Sequence, residues 1–157
     1  MKINIGITDQ NRTAVIDILN RLLSDEYVLY TKTRNFHWNV VGPDFSQLHK
    51  FFEAQYEELD EIIDEVAERA RSLGGISLGS LKEFVAKTRL VEPPAARLEA
   101  KVMLGALLAD HESVVQVLRI DAADCGEKYA DMGTNDFLTG LMERHEKMAW
   151  MLRSHLD

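Results

Sequence analysis

Residues 44 to 73 form a helix-forming stretch that carries six side chains able to bind a metal: His49, Glu53, Glu57, Asp60, Asp64 and Glu68. The steps between them are 4, 4, 3, 4 and 4, so the stripe reads the same in both directions. At about 100° per residue the six share one sector of a helix. They lie beside an apolar face built from Leu48, Phe52, Leu59, Ile62 and Val66. A palindromic stripe meets a copy of itself when two such helices lie antiparallel across a two-fold axis. His49 then faces the partner's Glu68, and Glu53 faces the partner's Asp64. Imidazole and carboxylate ligands converge at both ends of that contact, which is the chemistry of an iron or similar divalent-metal site. On spacing alone a solvated acidic face is the more common meaning of such a stripe.

A second histidine shifts the balance. His37 lies in Arg34-Asn35-Phe36-His37-Trp38-Asn39, near the end of an earlier amphipathic stretch, and the break Val41-Gly42-Pro43 follows. The two histidines flank a helix-to-helix corner that a tight antiparallel turn can close. Asp64 is fifteen residues beyond His49, or roughly 22 Å along one helix, too far for a single coordination sphere. If His37, His49, Asp64 and Glu68 serve one centre, the carboxylates come from a neighbouring subunit. That requires an isologous dimer with two equivalent sites.

The elements that must position these residues follow from periodicity and breakers. Residues 1 to 8 read as a short extended tail. A first helix is predicted from about Asp9 to Val40, with Val15, Ile18, Leu19, Leu22, Leu23, Tyr27, Leu29 and Tyr30 at helical spacing. Asp44 opens the second helix, and Gln47 three residues on predicts a capping box. Gly74-Gly75 closes it. Residues 74 to 94 form a long crossover with a short helix around Leu81, Phe84 and Val85. Pro93-Pro94 starts a third helix that runs to about Asp124. A loop spans Gly126 to Gly133, and a fourth helix covers roughly Thr134 to His155. Two tight helix pairs joined by one long crossover are the layout of a ferritin-like four-helix bundle, all-α. The whole chain, 1 to 157, reads as a single domain of that kind.

Larger ferritin-like diiron proteins carry Glu-x-x-His pairs inside one bundle, and no Glu-x-x-His occurs here. His111, Glu112, Glu143, His145 and Glu146 on the last two helices are therefore expected to serve as surface charge and caps.

The run NFHWNVVGPDFSQLHKFFEAQYEELDEIIDEVAERARSLGG, from Asn35 to Gly75, resembles the signature of the Dps family, the mini-ferritins named as DNA-binding proteins from starved cells. Phe36-His37-Trp38-Asn39, Phe45, His49, Asp64, Glu68 and the closing Ala67-Glu68-Arg69-Ala70 with Leu73-Gly74-Gly75 carry the match. The resemblance implies a ferroxidase centre between two-fold-related subunits. His37 and His49 would be ligands from one chain, Asp64 and Glu68 from its partner. Glu53 would be an additional carboxylate, and Trp38 would lie beside the centre. It further implies a twelve-subunit cage that oxidises Fe(II), preferentially with hydrogen peroxide and more slowly with dioxygen. The ferric product is stored as mineral, which limits oxidative damage. Asp121, Asp124 and Asp131, with Glu127 less well placed, are the residues the resemblance puts at the pores through which iron passes. Zn, Mn or Co can occupy the same ligands, because selectivity follows metal availability as well as affinity.

Composition sets the remaining bounds. With 46% hydrophobic and 28% charged residues, disorder is not expected. The single Cys125 excludes an intrachain disulfide and suits a reducing cytoplasm; a packed, idle thiol at a helix end is the expectation. Neither a signal peptide nor a membrane span is evident. The formal net charge of −8 opposes indiscriminate binding to nucleic acid. DNA-binding relatives commonly use a basic tail, whereas residues 1 to 12 contain only Lys2 and Arg12 and the chain ends His155-Leu156-Asp157. The competing reading, a structural nucleoid protein whose cage coats DNA, lacks that basic footprint.

Overall fold

A computed structural model describes residues 3 to 92 and 98 to 156. Its helices are α1 (Asp9–Asn39), α2 (Phe45–Ser72), α3 (Leu81–Lys87), α4 (Ala100–Ala123) and α5 (Met132–Arg153), with a π-helical turn at Asp124–Lys128 between the last two. No strand occurs among the described residues. Pro93-Pro94, the expected start of the third long helix, lies outside them.

Helix α1 begins where Thr8, in extended conformation, accepts a hydrogen bond from the Asn11 amide, the usual way to satisfy an orphan N–H. Helix α2 begins differently. The capping box expected at Asp44 does not form, and the Asp44 side chain caps nothing. Its backbone sits at φ −94°, ψ 16°, away from the extended region that an N-cap side chain needs to reach back. The chain enters α2 through a tight turn instead, with the Phe45 amide on Gly42 O and the Gln47 amide on Asp44 O, each at 3.1 Å. A capping box does form at Ser80 and Glu83, opening α3. The Ser80 hydroxyl and backbone hold the Glu83 carboxyl below its usual pKa. At the other end of α2, Gly74 takes φ +87° and the Gly75 amide bonds Ala70 O at 3.0 Å. A left-handed residue closing the helix in this way is the role glycine fills without strain.

Helices α1 and α2 pack antiparallel, and α4 packs on α5. Their shared interior holds Leu19, Leu22, Leu29, Phe36, Phe52, Leu59, Ile62, Leu107, Leu118 and Leu138. The crossover is tied to α1 at three places. Asn20 bonds Ile76 O and the Leu78 amide. Asp25 accepts from Thr88, from the Arg89 amide and from the Arg89 guanidinium. Tyr27 stacks on Phe84 with ring centroids 4.3 Å apart. These contacts hold the crossover against α1.

The expected loop from Gly126 to Gly133 is mostly not a loop. The chain stays helical through Lys128, reverses at Ala130 with φ 56°, and enters α5 under the cap of Asp131, which accepts from the Thr134 amide. Glycine at 126 is compatible with the π turn because it packs against Asn135, whose side chain lies 3.2 Å from where a Cβ would be. Cys125 in that turn is fully buried. Burial pushes its thiol up to about 12, so it is the packed, unreactive group expected. No helix among the described residues is long and apolar enough to cross a membrane.

Candidate metal centre

The corner between α1 and α2 brings His37 and His49 together. Their rings stack with centroids 3.7 Å apart and planes 23° from parallel. Each Nδ1 faces the other residue's backbone carbonyl, at 2.8 Å from His37 to His49 O and 2.9 Å from His49 to His37 O. A carbonyl only accepts, so both Nδ1 atoms carry the proton. The free lone pair of each neutral ring is then on Nε2. The reciprocal pair also satisfies His37 O, one of the last-turn carbonyls that has no helical partner. Orientation of a ligating imidazole by a hydrogen bond from its other nitrogen is a recurrent feature of metal sites.

Aromatic groups wall the pair. Tyr56 sets its ring edge-on to His37 at 5.2 Å, and Phe45 lies 5.2 Å from His49. The Tyr56 hydroxyl donates a long, 3.5 Å bond to Glu53 Oε1. Its pKa is raised by desolvation and by the Glu53 charge. The Arg34 guanidinium lies over Tyr56, Trp38 and Tyr30 and donates to the Tyr30 hydroxyl. Trp38 is 64% exposed, a large indole facing outward beside the histidines.

The acidic half of the stripe lies elsewhere. Asp64 and Glu68 are exposed and form no hydrogen bond or ion pair among the described residues. Glu53 is half-buried beside the histidines. No three His, Cys, Asp or Glu side chains among the described residues converge on one point within the chain. One chain thus presents the two histidines at one end of α2 and the two carboxylates towards the other.

The three acidic residues of the α4–α5 junction have different surroundings. The Asp131 side chain is 2% exposed, caps α5 and pairs with Arg69 at 3.1 Å. Asp121 is largely buried, 3.7 Å from Arg89, and burial raises its pKa. The Asp124 side chain is 43% exposed and reaches Lys128 at 3.8 Å.

Sequence reasoning missed a second group of ionisable residues. His111 and His145, expected at the surface, are both fully buried, and so is Glu26. Glu112, Glu143 and Glu146 are exposed as expected. Glu26 sits at a core position of α1 between Leu22 and Leu29, and apolar periodicity gave no sign that a charged residue there turns inward. Burial, and then the neighbouring His145, lower the pKa of His111 well below its usual value. In the folded chain His111 stays neutral at pH values where the unfolded chain, near 6.5, takes up a proton. Its contribution to stability is complete above about pH 6.5 and is lost as pH falls below that value. The limiting slope is about 1.4 kcal/mol per pH unit. In chelator-treated protein, urea midpoints between pH 7.5 and 5.5 should fall more steeply for the wild type than for His111→Gln. Equal slopes would show that His111 titrates as freely folded as unfolded.

A family model described as a ferritin-like domain matches residues 16–157. An uncharacterised low-temperature-induced protein of Nostoc sp. is 47% identical over 156 residues, covering 99% of this chain and 87% of the relative. DNA protection during starvation protein 2 of Bacillus anthracis is 37% identical over 143 residues, covering 91% of this chain and 97% of the relative. The structure of DpsC from Streptomyces coelicolor superposes with a TM-score of 0.96 at 32% identity, covering 100% of this chain and 91% of that one. Likeness in sequence and in backbone path extends over nearly the whole chain and includes the corner that pairs the histidines, and on these grounds the chain belongs to the Dps family of ferritin-like proteins.

Proposed function

We propose that this protein is a ferroxidase and iron store whose oxidation centres form between two-fold-related subunits of a twelve-membered cage. The observation that carries the reading is the reciprocal His37–His49 pair, which leaves two Nε2 lone pairs at one end of a stripe whose other end holds free carboxylates. Ferrous ion is the substrate. His37 and His49 supply neutral nitrogen donors, and the partner's Asp64 and the partner's Glu68 supply negative oxygen donors. Carboxylates favour the higher charge of Fe(III) and so make oxidation easier. Glu53 adds a carboxylate next to the histidines. Two ferrous ions give one electron each to one hydrogen peroxide, which is reduced to the level of water, and hydrolysis of the ferric ions to oxyhydroxide releases protons. Hydrogen peroxide is the preferred oxidant in this reading and dioxygen the slower one. Iron passes inward near the α4–α5 junction; of Asp121, Asp124 and Asp131, Asp124 is the most accessible.

The test is stopped-flow absorbance of anaerobic Fe(II)-loaded protein mixed with peroxide, with a dioxygen mix for comparison. A rapid, saturable ferric signal that is faster with peroxide is expected. The exposed Asp64→Asn substitution should slow it by more than the roughly 10–100-fold typical of losing a residue that merely supports a ligand, with assembly unchanged. Kinetics unaffected by Asp64→Asn would remove the site assignment, and a wild-type rate equal to protein-free buffer would remove the activity.

A further inference from the structure

The chain leaving α2 turns back and runs beside the helix it has just left. The Ser77 hydroxyl donates to Ala67 O at 2.6 Å. The Asn20 side chain donates to Ile76 O and accepts from the Leu78 amide, each at 3.0 Å. The backbone around Ile76 is thus held at three points, yet its side chain is 80% exposed. A single exposed apolar side chain is ordinary. This one is presented on a fixed backbone beside the metal stripe, because Ala67 lies three residues beyond Asp64 and seven beyond Asp60 and so borders that stripe.

A second exposed apolar group stands at the other end of the stripe. Trp38, next to His37, is 64% exposed, and Val41, at the corner, is 43% exposed. The Arg34 guanidinium, 5.3 Å from the Trp38 ring centre, covers only part of the indole. The two groups cannot meet within one chain. Val41 precedes α2, and Ala67 lies 22 residues beyond Phe45, or roughly 33 Å along the helix. The two-fold pairing proposed above brings them together. With His49 opposite the partner's Glu68, Lys50 stands opposite the partner's Ala67, so the partner's Ile76 reaches the level of the stacked histidines. Asn20 ties Ile76 to the α1 side of the stripe. A two-fold axis perpendicular to the paired α2 helices keeps both α1 helices on one side of the pair, and Trp38 is on α1.

We propose that the partner's Ile76 packs on Trp38 and Val41 and forms an apolar cover over each shared centre. The proposal rests on the two-fold sharing of that centre, and its occupant is a second copy of this chain. The contact is reciprocal, so each dimer has two covers. Burying the isoleucine and the open part of the indole removes apolar surface from water, which favours the dimer. It also keeps bulk water off the histidine side of the centre, where a lower dielectric strengthens the attraction between the carboxylates and ferrous ion. Ile76 is therefore part of the site although it touches no ligand of its own chain's stripe end.

Cross-linking tests the contact directly. Assembled Val41→Cys/Ile76→Cys protein treated with a short bismaleimide should run as covalent dimers on denaturing gels, whereas Val41→Cys and Ile76→Cys alone should stay monomeric. Both positions are exposed, so the core is untouched, and the buried Cys125 thiol, pushed up to about 12, stays silent. Trp150→Phe gives a readout with no change at the cover, since Trp38 is then the only indole. Its emission in the assembled protein should lie at short wavelength and resist acrylamide. Failure of the double variant to give covalent dimers from intact assemblies, equal dimer from a single-cysteine variant, or Trp38 emission as red and as quenchable as in urea would overturn the proposal. Slowed iron oxidation in Asp64→Asn protein without the cross-link would remove the cover and leave the shared centre. The cross-link without any iron oxidation would uphold the cover and remove the ferroxidase.

Discussion

Cages assembled from equal amounts of His37→Ala/His49→Ala chains and Asp64→Asn/Glu68→Gln chains should regain about a quarter of the wild-type Fe(II) oxidation rate, although either variant alone is inactive. The expectation follows from the proposed two-fold sharing. In a mixed dimer one centre takes both histidines from the second variant and both carboxylates from the first, and is intact. The other centre lacks all four ligands. Random pairing makes about half of the dimers mixed, and each restores one of its two centres. A centre contained within one chain would be broken in every subunit, and mixing would restore nothing. The measurement is initial ferric absorbance after denaturation of the mixed chains and reassembly, with each variant carried through the same procedure alone. Failure to recover activity, with cages formed and mixed by mass, would mean that the histidines and the carboxylates do not serve one centre.

Phe52→Ala should cost about 3–5 kcal/mol per chain, the usual loss for a buried phenylalanine left as a cavity. Phe52 is fully buried one turn beyond His49 and packs against Phe36 with ring centroids 6.5 Å apart. These two rings join α1 to α2 directly beneath the histidine pair. Phe45→Ala, at a ring that is 43% exposed on the same corner, is the control and should stay within about 0.5 kcal/mol. Both are read from urea unfolding at one protein concentration, because assembly contributes to apparent stability. Similar losses for the two substitutions would show that the corner is not held by this packing.

The corner itself shows what local chemistry decides. Gly42-Pro43 and Gly74-Gly75 mark where α2 can begin and end, and apolar spacing identifies its inward face. The stripe from His49 to Glu68 can therefore be read from one chain without knowing its neighbours. Reading the twelve-residue interval between His37 and His49 as one turn is also local, and their rings do stack. Local rules failed where backbone conformation chose between two permitted outcomes. Asp44 has the right residue type for a cap but the wrong dihedral angles, while Ser80 has both. The chain after Asp124 contains glycine and acidic residues that suit a loop, yet it stays helical through Lys128, with Cys125 buried in the turn and Asp131 accepting from the Thr134 hydroxyl.

The sequence by itself determined the helices, their pairing across one long crossover, the paired histidines and the carboxylate stripe, because each depends on spacing within a few turns of chain. Only the tertiary structure decided that Glu26, His111 and His145 meet in the core. They lie on three helices, far apart in sequence, and periodicity reports which face of a helix is apolar, not which polar residue on that face will be enclosed. That outcome depends on how α4 and α5 close over α1, a matter of packing between distant segments rather than of any one segment's composition.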